Sequence, residues 1–110
     1  MSAVQSDYVW VYMTHGQVDE AKAMVRQLLE ERLIACANIN DGMTAMYWWD
    51  GAVQEDSECF IIAKTRRDLF EQLTDRVNAL HPYEVPCVIA LPIQGGHEPY
   101  LSWLEKETRG

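Results

Sequence analysis

The first stretch of alternating side chains along the chain predicts a strand with two apolar faces. Residues 8–14 are dense in β-branched and aromatic residues and stop at the turn-forming His15–Gly16, which is typical of a β-strand. Alternation places Val9, Val11 and Met13 on one face and Tyr8, Trp10 and Tyr12 on the other. If the valines pack against helices, an aromatic face remains to be covered.

Two later segments repeat apolar residues at helical spacing. Residues 17–32 carry an apolar position every three or four residues, with Asp19 and Glu20 in the first turn, where the helix dipole favours anions. Thr65 and Asp68 have the spacing of a capping box, which predicts the start of a second helix. The stripe of that helix is Leu69, Leu73, Val77 and Leu80, and it ends at His81–Pro82.

Between the two helices the pattern predicts a long β-hairpin. Residues 34–39 and 44–49 are strand-like, and Asn40–Gly42 between them predicts a bulge or a bend within one long strand. Asp50–Gly51 supplies the residues of a tight hairpin turn, and residues 53–64 form the returning strand. Cys59 then falls opposite Gly42, so we expect Cys36 and Cys59 not to face each other and to be small buried packing residues.

A short strand and a short helix complete the chain. Residues 88–93 predict a last strand whose Pro92 favours an edge position, and Pro99 marks the start of a C-terminal helix. The order β, α, β, β, α, β indicates an α+β fold, the split βαββαβ (ferredoxin-like) antiparallel sheet with an extra C-terminal helix. We expect residues 1–110 to form a single domain.

The predicted hairpin is too long for its own helices to cover. Arms of about 15 residues extend to about 50 Å, whereas helices of about 16 residues reach about 24 Å. The overhang carries Met46, Tyr47, Trp48 and Trp49, and exposed apolar surface of that size favours association of identical subunits. The alternative is that the C-terminal helix, with Trp103 and Leu104, folds back over the bare face.

Composition excludes several classes of partner. A formal charge of −8 repels phosphate backbones and anionic lipid, so we expect no nucleic acid and no membrane partner. Three widely spaced cysteines without a CxxC argue against a disulfide framework or a structural zinc site. Residues 1–7 lack a basic segment followed by an apolar one, so we expect no signal peptide and a cytoplasmic location.

Six segments in this order and spacing resemble the CutA divalent-cation-tolerance family over almost the whole chain. They are A-C-A-N-I at 35–39, Y-W-W-D-G at 47–51, K-T at 64–65, H-P-Y-E-V-P at 81–86, I-A-L-P-I at 89–93 and Y-L-S-W at 100–103. The resemblance implies a PII-like homotrimer with sheets inside and helices outside, a link to copper and other divalent ions, and no catalytic reaction. Asp41–Gly42 and Cys87 depart from the family pattern, where Pro-Gly and a glutamate are usual.

The resemblance also implies candidate metal ligands. Proposed copper ligands in relatives match Met13 and His81 here, and the split fold places Cys87 at the same end of the sheet. A thioether, an imidazole and a thiol suit Cu(I), or Cu(II) with added oxygen ligands, so the hypothesis is a weak soft-metal site with no obligatory cofactor. The competing interpretation gives Met13 to the core, His81 to the end of a helix and Cys87 to inert packing.

A second group of residues is assigned to a subunit interface or ligand cleft. It consists of Tyr47, Trp48, Trp49, Lys64, Tyr83 and Glu84. Lys64 is a candidate to bind an anion between subunits, or else to form an ion pair at the sheet's edge. The tryptophans either stack on a ligand or fill a buried interface, where aromatic residues are common.

Three other functions share this strand order. An RNA-binding module is excluded because residues 58–64 lack the stacking aromatic and glycine pattern and the net charge is negative. An acylphosphatase-like enzyme is disfavoured because residues 14–17 offer no arginine to grip phosphate. A PII-like sensor that binds a small ligand between subunits and signals to a partner protein stays open as the alternative to metal handling.

Overall fold

The computed structural model describes residues 6–108. Its elements are β1 Tyr8–His15, α1 Val18–Glu30, β2 Cys36–Trp49, β3 Ala52–Arg66, α2 Phe70–Leu80, β4 Val88–Pro92 and α3 Glu98–Glu107. A single 3-10 turn, Arg67–Leu69, leads into α2. Most of the segment on which the signal-peptide expectation depends, residues 1–5, lies outside the described residues.

The four strands form one antiparallel sheet in the order β2-β3-β1-β4. In the register of the two central strands, Trp10 of β1 pairs with Lys64 of β3, which pairs with Cys36 of β2. The predicted α+β split βαββαβ arrangement is therefore confirmed. Pro92 ends the edge strand β4, where no further strand needs its missing N–H group.

The core lies between α1, α2 and one face of the sheet, which we call the helix-covered face. Val9, Val11 and Met13 point to this face and are buried, with at most 2% of each exposed. The two helices contribute an apolar stripe of Ala21, Met24, Val25, Leu28, Leu73 and Val77. The predicted division of β1 into a helix-facing side and an aromatic side is confirmed.

The hairpin has the bulge and the turn that the sequence predicts. The β2–β3 register shifts between Asn40 and Met43, and Gly42 there has a φ of 81°. Asp50 and Gly51 have φ values of 52° and 78°, the left-handed pair that a two-residue turn needs to match the twist of its strands. The hairpin therefore continues past the sheet as a two-stranded ribbon.

The predicted capping box is wrong. Thr65 is a fully buried residue of β3, and its Oγ1 donates a hydrogen bond to the backbone carbonyl of Leu33 at 2.7 Å. Asp68 instead accepts a bond from Arg66 at 2.9 Å, and α2 begins at Phe70 without a side-chain cap. Strand pairing with β1 extends through Arg66. Thr65 therefore stays in the strand and bonds to Leu33 instead of capping the helix.

The C-terminal helix α3 crosses the other face of the sheet, which we call the open face. Leu104 is buried, and the hydroxyls of Tyr100 and Tyr8 lie 3.3 Å from Cys36 Sγ and 3.4 Å from Glu105 Oε1. Coverage is partial. The side chains of Trp10, Ile89 and Leu91 are still 44%, 53% and 48% exposed. Within residues 6–108, no helix is long and apolar enough to span a membrane.

Candidate ligand cleft and histidine pair

Two buried histidines contact each other, with tilted rings, where β1 and α2 end. The ring centroids of His15 and His81 are 4.4 Å apart. His81 Nδ1 accepts the backbone N–H of Tyr83 at 3.1 Å, so its Nε2 carries the proton and donates to the carbonyl of Thr14 at 2.8 Å. His15 Nδ1 accepts the N–H of Gln17 at 3.0 Å. Burial and the neighbouring His81 lower the pKa of His15.

Tyr83 links this pair to the open face. Its ring meets that of His81 edge-on at 4.5 Å, and its hydroxyl donates to Glu58 Oε2 at 2.5 Å, a distance typical of a charge-assisted bond to a carboxylate. Burial and this bond raise the pKa of Tyr83 well above its ordinary value. Gly16 lies so close that a Cβ there would be 2.8 Å from the Tyr83 hydroxyl.

A cleft of about 720 Å³ opens between the ribbon and the loop that follows α2. Aromatic, sulfur-containing and small side chains line it together with two carboxylates. The lining is Tyr12, Thr14, Met43, Thr44, Ala45, Met46, Tyr47, Trp48, Trp49, Glu58, Tyr83, Glu84, Val85 and Cys87. Glu58 is only 7% exposed. We call this the ribbon cleft.

Five of the six residues assigned to a cleft from the sequence line the ribbon cleft: Tyr47, Trp48, Trp49, Tyr83 and Glu84. Lys64 does not line it. It lies on β3 between β1 and β2, and its Nζ donates to Asn38 Oδ1 at 3.0 Å. Lys64 therefore lies on a central strand of the sheet, and both anion binding between subunits and an ion pair with a neighbouring subunit's carboxylate stay predictions.

The three predicted metal ligands lie around the ends of β1 and α2 in different surroundings. Met13 is fully buried on the helix-covered face, and both ring nitrogens of His81 are hydrogen-bonded. Cys87 lines the ribbon cleft beside Tyr12 and Thr14, which belong to the open face. Between Ser6 and Thr108, no three His, Cys, Asp or Glu side chains are placed to hold a metal ion. The three-residue site stays a prediction.

The cysteines are unpaired thiols with different surroundings. Cys59 is buried, as expected, and donates to the His15 carbonyl at 3.4 Å. Buried packing is wrong for Cys36, which is partly exposed beside Tyr100 and lies 3.9 Å from Lys64 Nζ. The strand pattern could not predict this exposure, because a single cysteine is compatible with either the buried or the exposed face of a strand. Cys36 and Cys59 do not face each other, as predicted.

Glu58 is the cleft residue that sequence reasoning missed. Strand alternation places it on the same face as Phe60 and Tyr12, because Phe60 pairs with Thr14 and stacks on Tyr12 at 6.1 Å. The available signal was a carboxylate at the start of the apolar run 59–63. Its partner, Tyr83, comes 25 residues later, and only the assembled fold shows that they meet.

The antiparallel sheet, its two helices on one face and the overlong hairpin define a ferredoxin-like α+β subunit. The family model described as "CutA1 divalent ion tolerance protein" matches residues 9–107. The chain therefore belongs to the CutA1 divalent ion tolerance family.

Individual relatives agree with this assignment. The divalent-cation tolerance protein CutA of Pyrococcus horikoshii is 46% identical over 90% of this chain and 96% of the relative. The chloroplastic protein CutA of Arabidopsis thaliana is 48% identical over 90% of this chain and 54% of the relative. The structure of CutA1 from Oryza sativa superposes with a TM-score of 0.91 at 43% identity, covering 97% of this chain and 98% of that one.

Proposed function

We propose that this chain acts as a homotrimer in the response to divalent metal ions, copper among them, and that it binds the metal weakly and catalyses no reaction. Membership of a divalent ion tolerance family supports the link to metal. The observation that carries the assembly is the apolar surface left bare on one subunit, where Trp48, Met46 and Val53 are 76%, 65% and 55% exposed.

Light scattering at nanomolar to micromolar subunit concentration tests the assembly. We expect a mass three times that of the 12.7 kDa subunit. Trp48→Glu places a charge on the bare ribbon and should shift the mass toward the single subunit. Leu29→Glu is the matched control, because Leu29 is an exposed apolar residue of α1, away from the ribbon. A compact single subunit at every concentration would refute the trimer.

The surroundings of the predicted ligands support the proposal that binding is weak. His81 must give up its bond to Tyr83 or to Thr14 before a ring nitrogen can ligate. Met13 can be reached only if the core opens, since none of its surface is exposed. Cys87 is the most accessible of the three, although burial and Glu58 raise its pKa and so disfavour the thiolate that binds metal.

Copper titration of matched variants tests the metal site. We expect His81→Ala and Cys87→Ser each to weaken copper binding, and Cys36→Ser, which removes a thiol elsewhere on the open face, to leave it unchanged. Unchanged affinity in both His81→Ala and Cys87→Ser would remove the site. The same titrations with zinc measure how strongly the site prefers copper, the softer ion as Cu(I).

A PII-like ligand sensor is the second candidate, and the ribbon cleft is the observation that favours it. A concave site of about 720 Å³ with aromatic walls has the size and lining of small-molecule sites. Bound ligand would then alter the surface offered to a partner protein, which we leave unidentified. The unfolding midpoint measured with copper, zinc and nucleotides separates the two functions, because a ligand that binds only the folded form raises it.

We also propose a cytoplasmic location and a single domain. The three unpaired thiols support a reducing compartment. Three relatives, however, carry such words in their names: the Arabidopsis thaliana and Oryza sativa proteins are named chloroplastic, and the Archaeoglobus fulgidus protein periplasmic. Cell fractionation with an antibody to the chain tests the location.

A further inference from the structure

We propose that Asp41 and Gly42 form a site of covalent modification, at which the folded chain converts the aspartate to isoaspartate without an enzyme. The reactants are the Asp41 side chain, the backbone amide that follows it and water. The site therefore needs no access for a partner molecule, and it can be tested on the assembled protein. It is independent of the metal and ligand proposals, because neither residue belongs to the predicted metal site or lines the ribbon cleft.

A bulge in β2 sets these two residues apart from the regular strand. The β2–β3 register shifts between Asn40 and Met43, so Asp41 and Gly42 together lie opposite the single residue Cys59. Neither has a pairing partner of its own, which is typical of a bulge. Gly42 has a φ of 81°, a conformation that glycine adopts without steric cost. The backbone at this point is therefore held less firmly than in the paired strand on either side.

The side chain of Asp41 bends back onto the amide of the next residue. The N–H of Gly42 donates a hydrogen bond to Asp41 Oδ1 at 2.8 Å. The carboxyl carbon Cγ is bonded directly to that oxygen, so the attacking nitrogen and the carbon that it attacks are held close together. Nothing lies within 4 Å of the place where a Cβ of residue 42 would stand, so no side chain hinders ring closure. Holding two reacting groups in contact accelerates their reaction.

The reaction replaces one amide bond by another. The Gly42 nitrogen gives up its proton and bonds to Asp41 Cγ, while a C–O bond of the protonated carboxyl breaks. The released oxygen leaves as water with the amide proton and the carboxyl proton. Water then adds to one carbonyl carbon of the resulting succinimide ring. Opening at the backbone carbonyl of Asp41 leaves the chain running through Cγ, which is isoaspartate, and the mass of the protein is unchanged.

The product changes the backbone where the hairpin leaves the sheet. Isoaspartate adds one carbon to the main chain at Asp41. The pairs from Met43–Glu58 to Trp49–Ala52 follow this point along the ribbon, so their register and twist depend on the length of the bulge. Conversion at Asp41 therefore alters the element on which the proposed assembly depends.

A second Asp–Gly pair in the chain is the internal control. Asp50 and Gly51 form the hairpin turn, with φ values of 52° and 78°. Within residues 6–108, the bond from a glycine N–H to the preceding aspartate occurs at Gly42 and not at Gly51. In the unfolded chain the two sites should react alike, because each is an aspartate followed by glycine. A difference between them in the folded protein is then due to the structure.

The test measures isoaspartate at both sites in the same protein. The assembled chain and the chain denatured in guanidinium chloride are kept at neutral pH for the same time and then digested with Asp-N endoprotease, which cleaves before aspartate but not before isoaspartate. Conversion at Asp41 leaves residues 19–49 joined, and conversion at Asp50 leaves residues 41–55 joined. We expect about tenfold more conversion at Asp41 than at Asp50 in the folded protein, and equal conversion in the denatured chain.

Three variants separate the geometry from the sequence. Asp41→Asn should deamidate rapidly in the folded protein, because ammonia leaves more readily than water, and Asp50→Asn should deamidate more slowly. Both are followed by the gain in mass as an amide becomes an acid. Asp41→Glu keeps the charge but would have to close a six-membered ring, so it should stay unmodified.

Three results would overturn the inference. The first is equal conversion at Asp41 and Asp50 in the folded protein. The second is an unmodified Asp41 in the assembled protein after a time in which the denatured chain has converted. The third is a folded Asp41→Asn variant that deamidates no faster than Asp50→Asn.

Discussion

Gly16 lies where β1 turns toward α1, and the space above it is taken by the hydroxyl of Tyr83. Gly16→Ala would place a methyl group 2.8 Å from that oxygen, so Tyr83 must move and its bond to Glu58 must lengthen. We expect a loss of about 1–2 kcal/mol in the free energy of unfolding, measured by urea denaturation.

The control for this substitution is Gly95→Ala, because nothing lies within 4 Å of a Cβ there. We expect that variant to stay within about 0.5 kcal/mol of the unmodified chain. Equal stability of Gly16→Ala and Gly95→Ala would mean that Tyr83 moves aside freely and does not hold Glu58.

The histidine pair makes stability depend on pH. Burial first, and then His81, lower the pKa of His15, while Glu20 and Glu58 raise it by less. The unfolded chain therefore takes up a proton near the ordinary pKa of 6.5, before the folded chain does. The free energy of unfolding should fall as the pH drops from 6.5 toward the lowered folded-state pKa, and the loss should be complete below it.

His15→Asn separates this effect from general acid unfolding. An asparagine keeps an acceptor for the N–H of Gln17 but does not titrate, so the stability of this variant should change less between pH 7.5 and 5.5. His97→Asn removes an exposed histidine before α3 and should keep the full dependence. If the stability of the unmodified chain, His15→Asn and His97→Asn changed equally with pH, His15 would be excluded as the source of the pH dependence.

Among the elements, β3 ends next to a residue, Thr65, whose role depends on the tertiary fold. Thr65 donates to the Leu33 carbonyl at 2.7 Å from a fully buried site. Thr65→Val keeps the shape but leaves that carbonyl without its partner, and we expect a loss of about 1–3 kcal/mol in unfolding free energy. Thr65→Ser, which keeps the hydroxyl, should lose less.

Asp68→Ala distinguishes the two roles considered for Thr65. If Thr65 and Asp68 formed a capping box, both substitutions would destabilise α2 alike. Because the Asp68 side chain is 71% exposed where it pairs with Arg66, Asp68→Ala should change the stability by less than about 0.5 kcal/mol. A large effect of Asp68→Ala would restore the capping box. The stabilities of the Thr65 variants and of Asp68→Ala are measured by urea unfolding followed by circular dichroism.

The elements themselves follow from local patterns, and the cleft does not. Helical spacing found α1 and α2, and Asp50–Gly51 found the hairpin turn, because each signal depends on residues a few positions apart. The contact between Glu58 and Tyr83 and the ring contact between His15 and His81 join residues 25 and 66 positions apart. No periodicity encodes such pairs. The end of the sheet where they gather was predictable from strand direction, but not their hydrogen bonds.

At the scale of the whole molecule, two surface properties act in opposite directions on the proposed assembly of subunits. The open face and the ribbon leave Trp10, Ile89, Leu91 and Trp48 substantially exposed even after α3 has packed. Each subunit also carries a formal charge of −8, so like charges repel as subunits approach. Subunits associate only if the free energy gained from apolar contact exceeds the cost of the repulsion between their charges.

Salt should therefore strengthen the assembly. Raising sodium chloride from about 0.02 M to 0.5 M shortens the Debye length from roughly 20 Å to about 4 Å and screens the repulsion between subunits, while apolar burial is retained. Sedimentation velocity over a dilution series should show dissociation at a lower subunit concentration in high salt. Trp48→Glu adds a charge where apolar contact is needed, so its dissociation should respond more steeply to salt. An assembly that salt weakens would instead depend on ion pairs between subunits, and the exposed apolar surface would need another partner.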